Sequence, residues 1–186
     1  MKFIKWLLIV LSVLVLAFFL GGKSFLREQT KKNSPEKSAT YSKNGMNLNV
    51  QYSSPFKKDR VIFGELVPYN TVWRTGANEP TTFSTDTKIH LGGKSLAAGR
   101  YSVWTIPGKQ NWNIILNSEI PDWGVTILSG GKETTRNPDT DVLEVTVPVQ
   151  EIPTPIESFT INFEEKEQLY LSLAWDSTKV SVPINN

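Results

Sequence analysis

The sequence predicts a mainly β fold, an antiparallel β-sandwich preceded by one N-terminal hydrophobic helix. Three observations point there. Apolar and polar residues alternate with period two through much of the chain beyond residue 44, Gly and Pro punctuate those runs, and no stretch after the first 22 residues carries a convincing 3.6-residue apolar stripe.

The chain opens with Lys2 and Lys5, and Leu7 to Leu20 is then apolar apart from Ser12, ending at Gly21-Gly22. That run has the architecture of a signal-peptide core. Extended from Phe3 to Gly22, with Lys5 snorkelling to the interface, it reaches about 20 residues, the length that crosses a bilayer. Gly22 and Ser24 are the only small pair for cleavage and they bracket Lys23, so residues 1–22 read as a signal anchor ahead of a cleaved signal peptide. No cysteine follows, which excludes a lipoprotein anchor. Lys23, Arg27, Lys31 and Lys32 lie just beyond the span, so the charge distribution does not fix the orientation. Residues 23–43 are rich in Lys, Ser, Thr and Asn, contain Pro35 and lack apolar periodicity; they read as a basic flexible linker. Residues 44–186 read as the β-sandwich domain.

Within that domain the strands announce themselves in turn. Met46, Leu48, Val50 and Tyr52 alternate with Asn47, Asn49 and Gln51. Trp112, Ile114 and Leu116 do the same, then Leu143, Val145 and Val147, then Phe159, Ile161 and Phe163, and then Leu169, Leu171, Leu173 and Trp175, before Val180 and Val182. Such alternation turns one face to a core and the other to water. Gly92-Gly93 separates KIHL from KSL as a two-residue hairpin signal, and Pro107-Gly108 starts a turn between YSVWTI and WNIILN. Ser129 to Thr140 is the longest turn-rich gap.

Charge divides the chain. Residues 23–43 carry six basic and two acidic side chains, whereas 44–186 carry 12 basic and 16 acidic, a net of −4. A basic stalk can rest on anionic headgroups, although a solvated linker is the plainer expectation. The mildly acidic domain lacks the field that holds nucleic acid. With no cysteine there is no thiol chemistry, and a single histidine, His90, leaves little room for imidazole catalysis or a multi-histidine metal site.

Two blocks carry a family resemblance: LVPYNTVWRTGANEPTTF, Leu66 to Phe83, and GGKSLAAGRYSVWTIPGKQNWNIILN, Gly92 to Asn117. Together they resemble the bacterial family called domain of unknown function 2911, from roughly Leu48 to Val147. The resemblance implies an exported, mostly β domain with no assigned activity. Relatives often carry a plain cleavable signal, from which an uncleaved anchor would depart.

The candidate site lies in the first block. Trp73, Arg74, Thr75, Asn78 and Glu79 crowd around Gly76. As a structural turn, Gly76 would take a left-handed conformation, Asn78 would bond its own backbone, Pro80 would extend Glu79, and Arg74 would pair with Glu79. As a binding loop, the guanidinium fork, carboxamide and carboxylate would grip a ligand while the Trp73 face stacks on a sugar or aliphatic ring. Trp104 joins as a possible platform, on the face of Ser102 and Ile106; Trp112, Trp123 and Trp175 read as core.

Other constellations are weaker. His90 reads as a solvent-facing strand residue, and no serine lies in a nucleophile elbow. Asn137, Asp139 and Asp141 alternate like calcium ligands but lack the glycine and distal glutamate of a calcium loop. Glu79 with Asp86, or Glu119 with Asp122, would serve glycoside hydrolysis only at a suitable carboxyl separation. The resulting expectation is a membrane-tethered or exported non-catalytic binding or structural module of the bacterial cell envelope. Its membrane contact is the N-terminal segment and its partner an envelope glycan or protein, with no cofactor, metal or nucleic acid. The alternative is a hydrolase acting on envelope glycan or a related carbohydrate. A third possibility is protein pairing through a strand edge.

Overall fold

The computed structural model describes residues 2–17, 23–126, 129 and 133–186. The chain divides after Asn33 into two units.

The first unit is helical. Helix α1, Lys2–Ala17, contains no Gly or Pro, and its apolar side chains face solvent all round, from Phe3 and Trp6 to Leu14 and Leu16. Its 16 residues rise about 24 Å, short of a hydrocarbon core of about 30 Å. No helix among the described residues is long and apolar enough to cross a membrane. The remainder of the expected span, 18–22, lies outside the described residues. Helix α2, Lys23–Asn33, replaces the first half of the expected flexible linker. Leu, Arg, Glu, Gln and Lys are strong helix formers, and Lys31 and Lys32 in the last turn complement the helix dipole.

The second half of that linker is also ordered. Strand β1, Glu36–Lys43, pairs residue by residue with β2, Met46–Ser53. Asn44 and Gly45 turn between them with φ of 54° and 76°, the backbone that a two-residue hairpin demands. The β domain therefore starts at Ser34 rather than at residue 44.

The remaining strands are β3 (Thr82–Thr85), β4 (Ile89–Leu91), β5 (Lys94–Leu96), β6 (Gly99–Pro107), β7 (Asn111–Asn117), β8 (Asp141–Glu165) and β9 (Leu169–Asn185). These nine strands pair with one another antiparallel, in the order β1-β2-β3-β6-β7-β8-β9-β4-β5. The mainly β class is as expected, but the ladder is one continuous nine-stranded sheet where two separate sheets were expected. The reason is β8. Over Asp141–Pro148 it pairs with β7, and from Val149 to Glu165 it pairs with β9, so one strand serves both halves.

The two halves nevertheless share one core. Leu48 and Val50 of β2, Phe83 of β3, Val103 of β6 and Trp112, Ile114 and Leu116 of β7 join Val145, Phe159, Leu171 and Trp175 in a single buried cluster. The first strands reach the far half of β8 directly: Tyr41 packs on Phe163 at 6.1 Å, Tyr52 meets Phe159 edge-on at 5.8 Å, and the Ser54 hydroxyl donates to the Phe159 carbonyl at 2.6 Å.

Across the β8–β9 ladder, Lys179 Nζ donates to both Glu164 oxygens at 2.6 and 2.8 Å. Burial alone would raise the Glu164 carboxyl; Lys179, helped by Ser172 and Lys166, holds it below its ordinary 4.5. A depressed carboxyl contributes stability above its unfolded value and loses it as pH falls through the folded one. Glu164→Gln is therefore expected to be less stable than the parent at neutral pH by about 1 kcal/mol. The gap should close in acid, in melting curves recorded across both values. A gap independent of pH would show that the pair contributes through packing alone.

Candidate functional site

The corner from Val72 to Phe83 is tied down at both ends. Trp73 N–H donates to the Thr105 carbonyl at 2.7 Å, and Thr105 N–H returns to the Trp73 carbonyl at 3.0 Å, a two-bond bridge onto β6. On the far side Val103 N–H donates to the Thr81 carbonyl at 2.8 Å, just before β3 begins. Between these anchors the backbone turns through Thr75, Gly76 and Asn78 at φ of 58°, 139° and 57°. Gly76 has no alternative here: a Cβ would lie 2.7 Å from the Ser53 carbonyl oxygen.

Most of the polar groups in this corner are satisfied internally. Thr75 is fully buried; its hydroxyl lies 3.2 Å from that of Thr105 and 3.3 Å from the Trp73 carbonyl, while the Thr81 hydroxyl donates to the Thr75 carbonyl at 2.5 Å. Asn78 is buried, and its amide donates 3.3 Å to the Ser34 carbonyl, not to its own backbone as expected. Its carbonyl accepts from Gly124 N–H at 3.4 Å. Trp73 stacks on Trp175 at 6.1 Å and 15°, with Phe159, Trp112 and Phe63 set at steeper angles around it. Trp104 is wholly buried and donates from Nε1 to the Ser102 hydroxyl at 2.8 Å. One Trp73 face is thus covered by an indole, and Trp104 exposes no surface.

Arg74 differs. The expected pair with Glu79 does not form: neither residue makes a hydrogen bond or ion pair among the described residues, and Arg74 Nε is buried without a partner. Burial pulls the guanidinium below its usual value, with no carboxylate to offset it. A second loop closes over the stem of Arg74. Gly124 packs so tightly that a Cβ there would lie 2.7 Å from Arg74 Cδ. Thr126 N–H to Glu133 at 2.9 Å and Thr135 N–H to Gly124 at 3.3 Å fold that loop back on itself. Sequence reasoning passed over Gly124; the turn-prone Pro121-Asp122-Trp123-Gly124 was the available signal.

The other constellations are placed as follows. Asp141 is held by Arg136 and by the Asn117 amide at 2.8 Å, and Asn137 caps the short 3₁₀ turn Pro138–Thr140. Among the described residues no three His, Cys, Asp or Glu converge as a metal site. Glu79 precedes β3 and Asp86 follows it, so these two acids stand at opposite ends of one strand. Glu119 accepts from the Thr140 hydroxyl at 3.3 Å. His90 lies on β4 opposite Asn185, with Nδ1 3.3 Å from the Asn186 carbonyl.

The sequence profile of a family described as Protein of unknown function (DUF2911) matches residues 34–184, all but the last two residues of the β domain. No curated protein and no solved structure matches the chain.

Proposed function

The chain belongs to the DUF2911 family, and from that premise we propose that it is a non-catalytic binding module of the bacterial cell envelope in which Arg74 receives an anionic group. One observation carries this reading: a half-buried guanidinium, its stem clamped by Gly124, with a buried Nε that no described residue pairs. An uncompensated buried cation costs stability, and an arginine fork matches carboxylate and phosphate geometry. The rigid corner around it fixes the fork in place before any ligand arrives, which lowers the ordering cost of binding. The all-round apolar surface of α1 supports membrane association of the N-terminal segment. Hydrolysis with Glu79 as an acid has less support, since Asp86 stands at the other end of β3.

The test compares Arg74→Met with the parent. Removing the charge is expected to leave stability unchanged or raise it by about 1 kcal/mol, the reverse of breaking a buried ion pair. Titrating inorganic phosphate and a soluble uronate oligomer should raise the parent melting temperature, by the equivalent of about 2.7 kcal/mol at a hundredfold excess over Kd. Arg74→Met should show no such rise. A parent that ignores both anions, or a variant that responds like the parent, overturns the proposal. Arg74→Lys keeps the charge without the fork and should respond weakly; it also serves if Arg74→Met fails to fold.

A further inference from the structure

We propose a second site, at the end of the sheet where the β1–β2 turn, the β8–β9 turn and the end of β9 meet, that takes a neutral, hydroxyl-rich ligand such as a sugar ring. A cavity of about 380 Å³ opens there, within the size range of small-molecule sites. Its floor is apolar, made by the buried side chains of Met46, Leu169 and Ile184. Its rim is polar: Asn44, Glu165, Gln168 and Asn185 line it together with Tyr41.

The hydrogen-bonding inventory of that rim points to hydroxyl groups. Glu165 accepts from the Tyr41 hydroxyl at 2.9 Å and from Lys43 Nζ at 2.5 Å, which uses part of its capacity and leaves lone pairs over. Gln168 donates from Nε2 to the Tyr170 hydroxyl at 3.0 Å, so its Oε1 remains an acceptor. Asn44 donates to Tyr41 at 3.4 Å and keeps its Oδ1. The exposed Asn185 amide makes no side-chain hydrogen bond among the described residues, so it has both a donor and an acceptor to give.

Charge selects against ions. Glu165 is countered by Lys43, and Lys166 reaches Glu164 at 3.5 Å, so both charged side chains that line the cavity already have an opposite neighbour. A ligand that both donates and accepts, with a C–H face to lay on Met46 and Leu169, fits such a site better than an anion or a cation. This chemistry differs from that at Arg74, and the site involves none of the residues of the 72–83 corner.

The experiment is ligand-observed saturation-transfer NMR on the full chain, using glucose, galactose, mannose, N-acetylglucosamine and their β-linked dimers as probes. The parent is expected to transfer magnetisation to at least one of them. Asn185→Ala and Gln168→Ala should each weaken that ligand about five-fold, the loss of one neutral hydrogen bond. Arg74→Met should bind it like the parent, which separates this site from the anion site. Absence of transfer to every probe overturns the proposal, as does equal binding by Asn185→Ala and Gln168→Ala. Asn185 is exposed at the end of β9 and Gln168 lies half-buried in the turn between β8 and β9, and a melting curve matching the parent confirms that loss of binding is not loss of fold.

Discussion

Trp175→Ala is expected to destabilise the β domain by about 3–5 kcal/mol, the range for truncating a buried aromatic. Trp175 is 1% exposed. Its ring lies flat on Trp73 at 6.1 Å, leans on Phe159 at 5.9 Å and takes the edge of Phe63 at 6.3 Å. Its Nε1 donates to the Glu157 carbonyl at 3.3 Å. Truncation opens a cavity among three aromatic neighbours whose positions are fixed by different strands and loops, so little of it can collapse. Against a typical total of about 5–15 kcal/mol, the loss is a large fraction and should appear as a clear drop in the urea midpoint. Trp73→Ala should cost less, because Trp73 is only half-buried. The double variant should fall short of the sum, since the two indoles share one stacked face. A loss under about 1.5 kcal/mol for Trp175→Ala would contradict the cluster as described.

Gly76→Ala ranks second, with an expected cost of about 2–4 kcal/mol from a disfavoured backbone plus a steric clash. At φ 139° an L side chain is strained, and the added Cβ would stand 2.7 Å from a carbonyl oxygen of the main chain, which has no rotamer to escape to. Gly93→Ala is the control. Gly93 has φ 79° but open space around its Cβ direction, so it isolates the backbone contribution, about 1 kcal/mol. Denaturation of both proteins side by side measures the difference. Equal losses would mean that the corner shifts freely away from Ser53, and it would then be a poor platform for Arg74.

The parts of the fold legible in the sequence are those where one face is buried and the other is not. Leu48 and Val50, and Val145 and Val147, alternate because β2 and the start of β8 each turn one side to the core, whereas β7 buries Ile115 and Asn117 as well as Trp112, Ile114 and Leu116. Strand β1 escaped notice because only Tyr41 of its eight residues is buried, so it carries no period to read. The hairpin signal was present in Asn44-Gly45, but without an apolar run before it the turn had nothing to join. Helix α2 was hidden for a related reason: propensity rather than amphipathicity makes it helical.

In the 72–83 corner the special backbone at Gly76 was readable, because local geometry depends on local residues. The partners of Asn78 and Arg74 were not. Ser34 and Gly124 come from distant parts of the chain, and no local pattern marks a contact with a carbonyl or a bare Cα. The same limit hid the rim around Glu165, which three separate turns and strand ends bring together.

The pairing of β4 with the end of β9 has a consequence for how the protein is made. His90 and Leu91 find their neighbours at Asn185 and Ile184, on a strand synthesised long after them. While β9 is still inside the ribosome, β4 and β5 can form their hairpin but lack the strand that β4 pairs with. The sheet can close only after β9 has emerged. Closure of the sheet therefore waits on its latest strand, and until then the β4–β5 hairpin presents an unpaired edge.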